Sequence, residues 1–262
     1  MRRGMTITEV MVALGVVTLV ASLLLVSLGR VQDDAHRVKC LAHAASCMRA
    51  VQLYASDFDD CFPRFAAARI EDAFSNGGIS LSYYDQSYHW PLAVRAYLQD
   101  LPVSNAQLCP RSPAHRAIYA GDLTSDEYIS QYPEGYVLPS EHHISYTCLT
   151  DWSVWTTGGD INDTSSLRVV RWSEAATPSC KGVLIEPRAY HLASGSSSFR
   201  SDISAYEPEG RDKAYTTMFA DGHGRSVAFP LFCAPFTGNG IDPEMALPVL
   251  ATEHGIRGQD VE

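Results

Sequence analysis

Residues 10–29, VMVALGVVTLVASLLLVSLG, contain no charged side chain. Roughly 20 apolar residues make a helix long enough to cross the hydrocarbon core of a bilayer, and no later stretch of the chain compares with this one. The expectation is a transmembrane helix over residues 5–29 and a single-pass protein with a long domain on one side. A secretory signal peptide is the plainer alternative. It would have a shorter apolar core and a small-x-small cleavage site behind it; this run is longer and no such site follows. The rest of the chain is ordinary for a folded domain. Charged residues are 19% and hydrophobic residues 46% of the 262, which excludes a disordered or polytopic bulk. Lys and Arg total 20 against 30 for Asp and Glu, a formal charge of −10. No nucleic-acid partner is expected, because phosphate contacts need a basic surface.

Glu9 stands at the edge of the apolar run. A carboxylate in a membrane helix costs ~2–3 kcal/mol or more and needs a partner, so a plain anchor has no use for it. Gly4, the apolar Met5, Glu9 five residues after the glycine, and the uncharged run together resemble the leader of type IV pilin-like proteins, including type II secretion pseudopilins. The resemblance implies cutting between Gly4 and Met5 by a cytoplasmic prepilin peptidase and N-methylation of Met5. It implies that Glu9 pairs with the amine of a neighbouring subunit during assembly. Family members carry Phe where this chain has Met5. Arg2 and Arg3 precede the run while Arg30, Arg37 and Lys39 follow it, so positive charge alone does not orient the span. The leader does, and it implies an inner-membrane protein with its C-terminal head in the periplasm.

Beyond the run, Val38, Leu41, Ala45, Met48, Ala55 and Phe58 fall mostly three and four apart, the period of an amphipathic helix. Asp57, Asp59, Asp60 and Pro63 end it. A helix from Met5 to about Phe58 would be ~80 Å long. Cys40-Leu41, Leu53-Tyr54-Ala55, the Asp cluster and Pro63 resemble the helix end of major-pseudopilin-like proteins, in particular a large-headed, planctomycete-like group. Leu108-Cys109-Pro110 resembles that group's short Cys-Pro segment, and Asp221-Gly222-His223 its C-terminal hairpin. The group has His ten residues before the Asp; here Arg211 stands there.

The division expected is a leader over 1–4, the transmembrane helix over 5–29, an amphipathic extension over 30–62 and a globular head over 63–262. Within the head, residues 75–78 (SNGG) mark a turn and Trp90 with Pro91 opens a short helix to Leu98. Strand composition marks residues 144–150, 167–171 and 182–186. Residues 216–220 and 224–229 flank Asp221-Gly222 as a hairpin. The fold class expected is α+β: a long N-terminal helix, half transmembrane and half amphipathic, packed on a head with an antiparallel β-sheet.

The seven cysteines, at 40, 47, 61, 109, 148, 180 and 233, have no CxxC spacing, so no metal site is expected. Cys40 and Cys47 are ~10 Å apart on a helix, too far to bridge; Cys109 with Cys148 is the candidate disulfide. Asp57, Asp59 and Asp60 could take calcium, but the loop lacks its glycine and its bidentate Glu, and a solvated helix end is the better reading. His89, His142, His143 and His223 are read as surface or half-buried, since adjacent strand histidines point to opposite faces. No G-x-S-x-G, Walker A or H-E-x-x-H occurs, and neither an enzyme nor a cofactor is expected.

The function these features imply is a structural pilin-like or pseudopilin subunit of a type II secretion or type IV pilus system. Its expected partners are prepilin peptidase, other pilin-like subunits, an inner-membrane assembly platform and membrane lipid. The alternative is a membrane-anchored exported domain that binds glycan through Tyr83, Tyr84, Tyr88 and Trp90. An anchored hydrolase is a third.

Overall fold

The computed structural model describes residues 6–63, 90–98, 107–110, 112, 140–149, 168–186, 214–234, 249 and 252–261. The first element, α1, spans Ile7–Asp57. Thr6 caps it, and Thr6 with Glu9 forms a reciprocal capping box, the S/T-x-x-E signature that satisfies two orphan amides of the first turn. At the far end the chain turns sharply, with Asp59 at φ 52 and Asp60 at φ 65. The Asp60 amide donates to the Ala55 carbonyl at 2.8 Å. Asp tolerates this left-handed backbone better than most residues.

After α1 come a two-residue strand β1 (His143–Ile144), a helical turn α2 (Tyr146–Leu149), and strands β2 (Gly182–Ile185), β3 (Ala214–Phe219) and β4 (Gly224–Ala228). The strands form one antiparallel sheet in sequence order. Ile144 pairs Leu184, Leu184 pairs Met218, and Thr216 pairs Ser226. β3 and β4 are joined through Asp221-Gly222, where Gly222 has φ 89. A side chain is disfavoured in that conformation, which explains the glycine. The Phe219 amide closes the turn on the His223 carbonyl at 2.9 Å.

Strand side chains alternate between faces, and β3 divides the core accordingly. Thr216 and Met218 face α1: Thr216 Oγ1 reaches Cys40 Sγ, and a Cβ added at Gly224 would meet both Met218 and Leu41. Tyr215, Thr217 and Phe219 face the other way. Thr217 stands against the Gly182 and Val249 contact, while Tyr215 and Phe219 meet a small cluster with Val227, Phe232 and Val261. β2, covered on both sides, is buried along its length. The main core joins Ala44, Cys47, Met48, Val51 and Tyr54 of α1 to Trp90, Ile144, Val183, Leu184 and Met218. Trp172 closes one end, stacking on Phe62 at 4.7 Å and donating its indole N–H to the Ala220 carbonyl at 2.7 Å.

Several expectations are corrected. Among the described residues no helix is long and apolar enough to cross a membrane. The transmembrane helix, the single-pass topology and the inner-membrane placement with a periplasmic head therefore fall. So does the expected plan of a helix, half transmembrane and half amphipathic, packed on a head. Among the described residues, contact with the sheet comes from the C-terminal part of α1, and residues 7–23 are exposed.

The predicted apolar stripe is also displaced. Val38 and Phe58 are 68% and 51% exposed, and Ala45 is exposed; the buried positions are Cys40, Ala44, Cys47, Met48, Ala50, Val51, Tyr54 and Ala55. Cysteine acts here as a small hydrophobe, so Cys40 and Cys47 belong to the stripe. The strand expected over 144–150 stops at Ile144, because Ser145 caps a helical turn: its amide leaves to Val183, and its carbonyl accepts from Cys148. The helix expected from Trp90 to Leu98 is two separate 3-10 turns, Trp90–Leu92 and Arg95–Tyr97. Of the strand expected over 167–171, Arg171 makes an isolated bridge to Cys61, and Leu167 lies outside the described residues. The turn at 75–78 and Arg211 also lie outside them.

Candidate functional site

Two places in the fold concentrate chemistry. The first is the start of α1. Gly4 and Met5 lie outside the described residues. Glu9 Oε2 accepts from the Thr6 amide at 2.8 Å and from the Thr6 hydroxyl at 2.9 Å. These bonds, the backbone one foremost, hold the Glu9 carboxyl below its ordinary range. Its negative charge also suits the positive end of a helix. Glu9 thus has a role within its own chain that the sequence reading missed, although Thr6-x-x-Glu9 was the signal for it. Behind it, Ile7, Val10, Met11, Val12, Leu14, Val16, Val17, Leu19, Val20 and Leu23 are all 42–80% exposed. Thr18 and Ser22 return their hydroxyls to the carbonyls of Leu14 and Leu19, so the surface they leave is almost wholly apolar.

The second place is buried. Cys40 on α1, Cys109 in the Cys-Pro segment and Glu186 just past β2 bring three ligand atoms within 4.8 Å of one another. Each is held by a different element. Cys40 stands on the buried stripe of α1. The Glu186 amide extends the β2–β3 ladder by donating to the Thr216 carbonyl at 2.9 Å. Cys109 is held by its own amide, which donates to Glu141 Oε2 at 2.5 Å, while His43 Nδ1 lies 2.9 Å from the Leu108 carbonyl. The Glu141 amide in turn donates to the Gln107 carbonyl at 2.9 Å. Cys40 Sγ donates to Glu186 Oε2 at 2.8 Å. A hydrogen bond from Cys109 favours the Cys40 thiolate, but burial and the Glu186 charge outweigh it and push the thiol up to about 11.

His142 lies in the same electrostatic neighbourhood. It is fully buried, and neither ring nitrogen has a hydrogen-bond partner among the described residues. Burial takes its pKa down to about 4, with His43 acting in the same sense and Glu186 against it. The imidazole is therefore neutral at physiological pH.

The remaining expected site residues separate. Cys109 and Cys148, the expected disulfide, are not bridged to each other. Cys109 sits with Cys40, whereas Cys148 lies near Ser145, Thr147 and the Lys181–Asp260 pair, its thiol pushed up to about 12 chiefly by burial. His142 and His143 are buried rather than surface residues. His223 is exposed and lies 2.5 Å from Asp221; His89 is outside the described residues. Asp57 and Asp60 accept from the Tyr97 hydroxyl at 2.6 Å and the Ser173 amide at 2.9 Å. Among the described residues the three aspartates are not gathered into a cation site. Trp90 is fully buried and donates to the His142 carbonyl at 2.7 Å; Tyr83, Tyr84 and Tyr88 lie outside the described residues.

No protein-family model, no curated protein and no solved structure matches the chain. No family or relative points to an enzyme or to a non-enzyme.

Proposed function

We propose that this chain is a structural subunit of the pilin-like or pseudopilin kind. Prepilin peptidase trims it between Gly4 and Met5, Met5 is N-methylated, and the subunit assembles with other pilin-like subunits on an assembly platform. The observation that carries the reading is the exposed apolar start of α1. Burying a large aliphatic side chain is worth about 1.5–3 kcal/mol. The ten exposed at residues 7–23 therefore forgo on the order of 10 kcal/mol or more, comparable with the whole stability of a domain. A surface of that size marks an interaction site. A helix with exposed apolar residues along its first turns suits a filament core, where several copies of the same helix surround one another. Glu9 has two uses in this reading: it caps its own helix in the lone chain, and it meets the amine of a neighbour in the filament.

The rival reading as a glycan-binding domain is weaker at Trp90, whose ring is inside the core and whose N–H is already used.

The test is crosslinking in the native host, with a photoreactive residue at Val12, Val16 or Leu19. The reading expects adducts with a second copy or with another pilin-like protein, and none from Arg49, which is exposed on the sheet-packed part of α1. Adducts from Arg49 alone, or none from the three apolar positions, would overturn it.

A further inference from the structure

We propose that Cys40, Cys109 and Glu186 bind a zinc-class divalent cation, with His142 as the neighbouring neutral imidazole. The proposal does not depend on the filament reading. Two thiolates with a carboxylate or an imidazole form a borderline-soft donor set, which suits zinc better than calcium or magnesium. On a tetrahedral zinc, two sulfur ligands stand about 3.8 Å apart, and a sulfur and an oxygen about 3.5 Å. The three atoms here already lie within 4.8 Å of one another. The 2.8 Å contact from Cys40 to Glu186 has to open by less than 1 Å when a cation replaces the bridging proton.

Independent support comes from His142. Burying an imidazole with neither nitrogen bonded costs about 1–3 kcal/mol per unmet group. Both nitrogens of His142 are in that state among the described residues, beside the cluster whose charge it feels. His142 contributes none of the three atoms already gathered, so its imidazole is the group that a cation in the cluster would draw toward it.

The balance is simple. The cation enters as the dication, both thiol protons leave to solvent, and the Glu186 carboxylate binds as it stands. No electron changes hands. A Cys40–Cys109 disulfide is the competing fate of the same pair. It would consume the S–H that Cys40 donates to Glu186, leaving the buried carboxylate facing an aprotic sulfur. The site is closed on all sides, so its role is structural: it fastens α1 to the Cys-Pro segment and to the end of β2. The ligands stand 69 and 77 residues apart in the chain, out of reach of any short-motif scan.

The experiment uses the full chain in mild detergent, reduced and stripped of metal, and titrated with zinc and with cobalt. One equivalent of zinc should bind with proton release, and cobalt should give a thiolate-to-metal charge-transfer band. Cys40→Ser, Cys109→Ser and Glu186→Gln should each weaken zinc binding at least tenfold; Cys233→Ser should not. Because the buried variants could misfold, X-ray absorption on the zinc-loaded native chain provides a second reading: sulfur must appear in the first coordination shell. A shell of nitrogen and oxygen alone overturns the proposal, as does zinc held by surface groups only. A Cys40–Cys109 disulfide that, once reduced, leaves thiols unable to bind zinc overturns it as well.

Discussion

Replacing Lys181 by Met should be among the most damaging single changes to the sheet. Lys181 and Asp260 are fully buried or nearly so, with side chains 0% and 2% exposed and an Nζ–Oδ2 distance of 3.0 Å. Asp260 also accepts from the Gly182 amide at 2.8 Å and the Thr252 hydroxyl at 2.5 Å, and Lys181 donates to Thr252. The Asp260 amide donates to the Cys180 carbonyl at 2.9 Å. This network pins the last described segment to the start of β2. Methionine fills much the same volume but leaves the Asp260 carboxylate buried with only neutral donors. Breaking one side of a buried pair costs about 3–5 kcal/mol, whereas replacing both partners with apolar groups is far milder. With a urea m-value of about 2 kcal/mol per molar, Lys181→Met should lower the unfolding midpoint by about 2 M. Lys181→Met with Asp260→Leu should recover at least half of the loss. Urea unfolding followed by circular dichroism reads both. A loss below about 1 kcal/mol for the single variant, or a double variant no better than the single, would refute the reasoning.

Gly182→Ala should cost about 1–3 kcal/mol by overpacking, because the new Cβ would stand 2.8 Å from both methyls of Val249; an unchanged thermal midpoint would count against the packing described for that face. Arg168→Gln should cost less than about 1 kcal/mol at neutral pH, since the Arg168–Glu174 pair at 2.6 Å is partly exposed and such pairs are screened. The Arg168 hydrogen bond lowers the Glu174 pKa from 4.5, so that small difference should be present above pH 4.5 and vanish as the pH falls below it. Chemical denaturation of both proteins at a neutral and an acid pH checks the sign.

The hairpin was the most legible element. Asp221-Gly222 between two β-prone runs dictates a tight turn through local backbone chemistry, and β3 and β4 lie there. The end of α1 was legible for the same reason: Asp59 and Asp60 adopt left-handed backbone where the acidic cluster breaks the helical period. What failed depended on partners distant in the chain. The stripe on α1 was misplaced because Cys40 and Cys47 were counted as chemistry rather than as apolar packing. His142 and His143 are buried although β1 is the edge strand of the sheet; Trp90, which donates to the His142 carbonyl, is 52 residues away, so no neighbouring residue encodes that burial. The expected membrane span also failed: among the described residues no helix is long and apolar enough to cross a bilayer. The Cys40–Cys109–Glu186 cluster arises from three elements meeting in space, so its members look unrelated in the chain.

The central claim, a pilin-like subunit, is tested most directly at the N-terminus. The full chain is co-expressed with a prepilin peptidase, and the mature N-terminal peptide is read by mass spectrometry, alongside Gly4→Val. The account predicts loss of residues 1–4 and an N-methylated Met5 in the native chain, with Gly4→Val left uncut. A chain that keeps its leader in the presence of active peptidase, or that is cut at another bond, would contradict it.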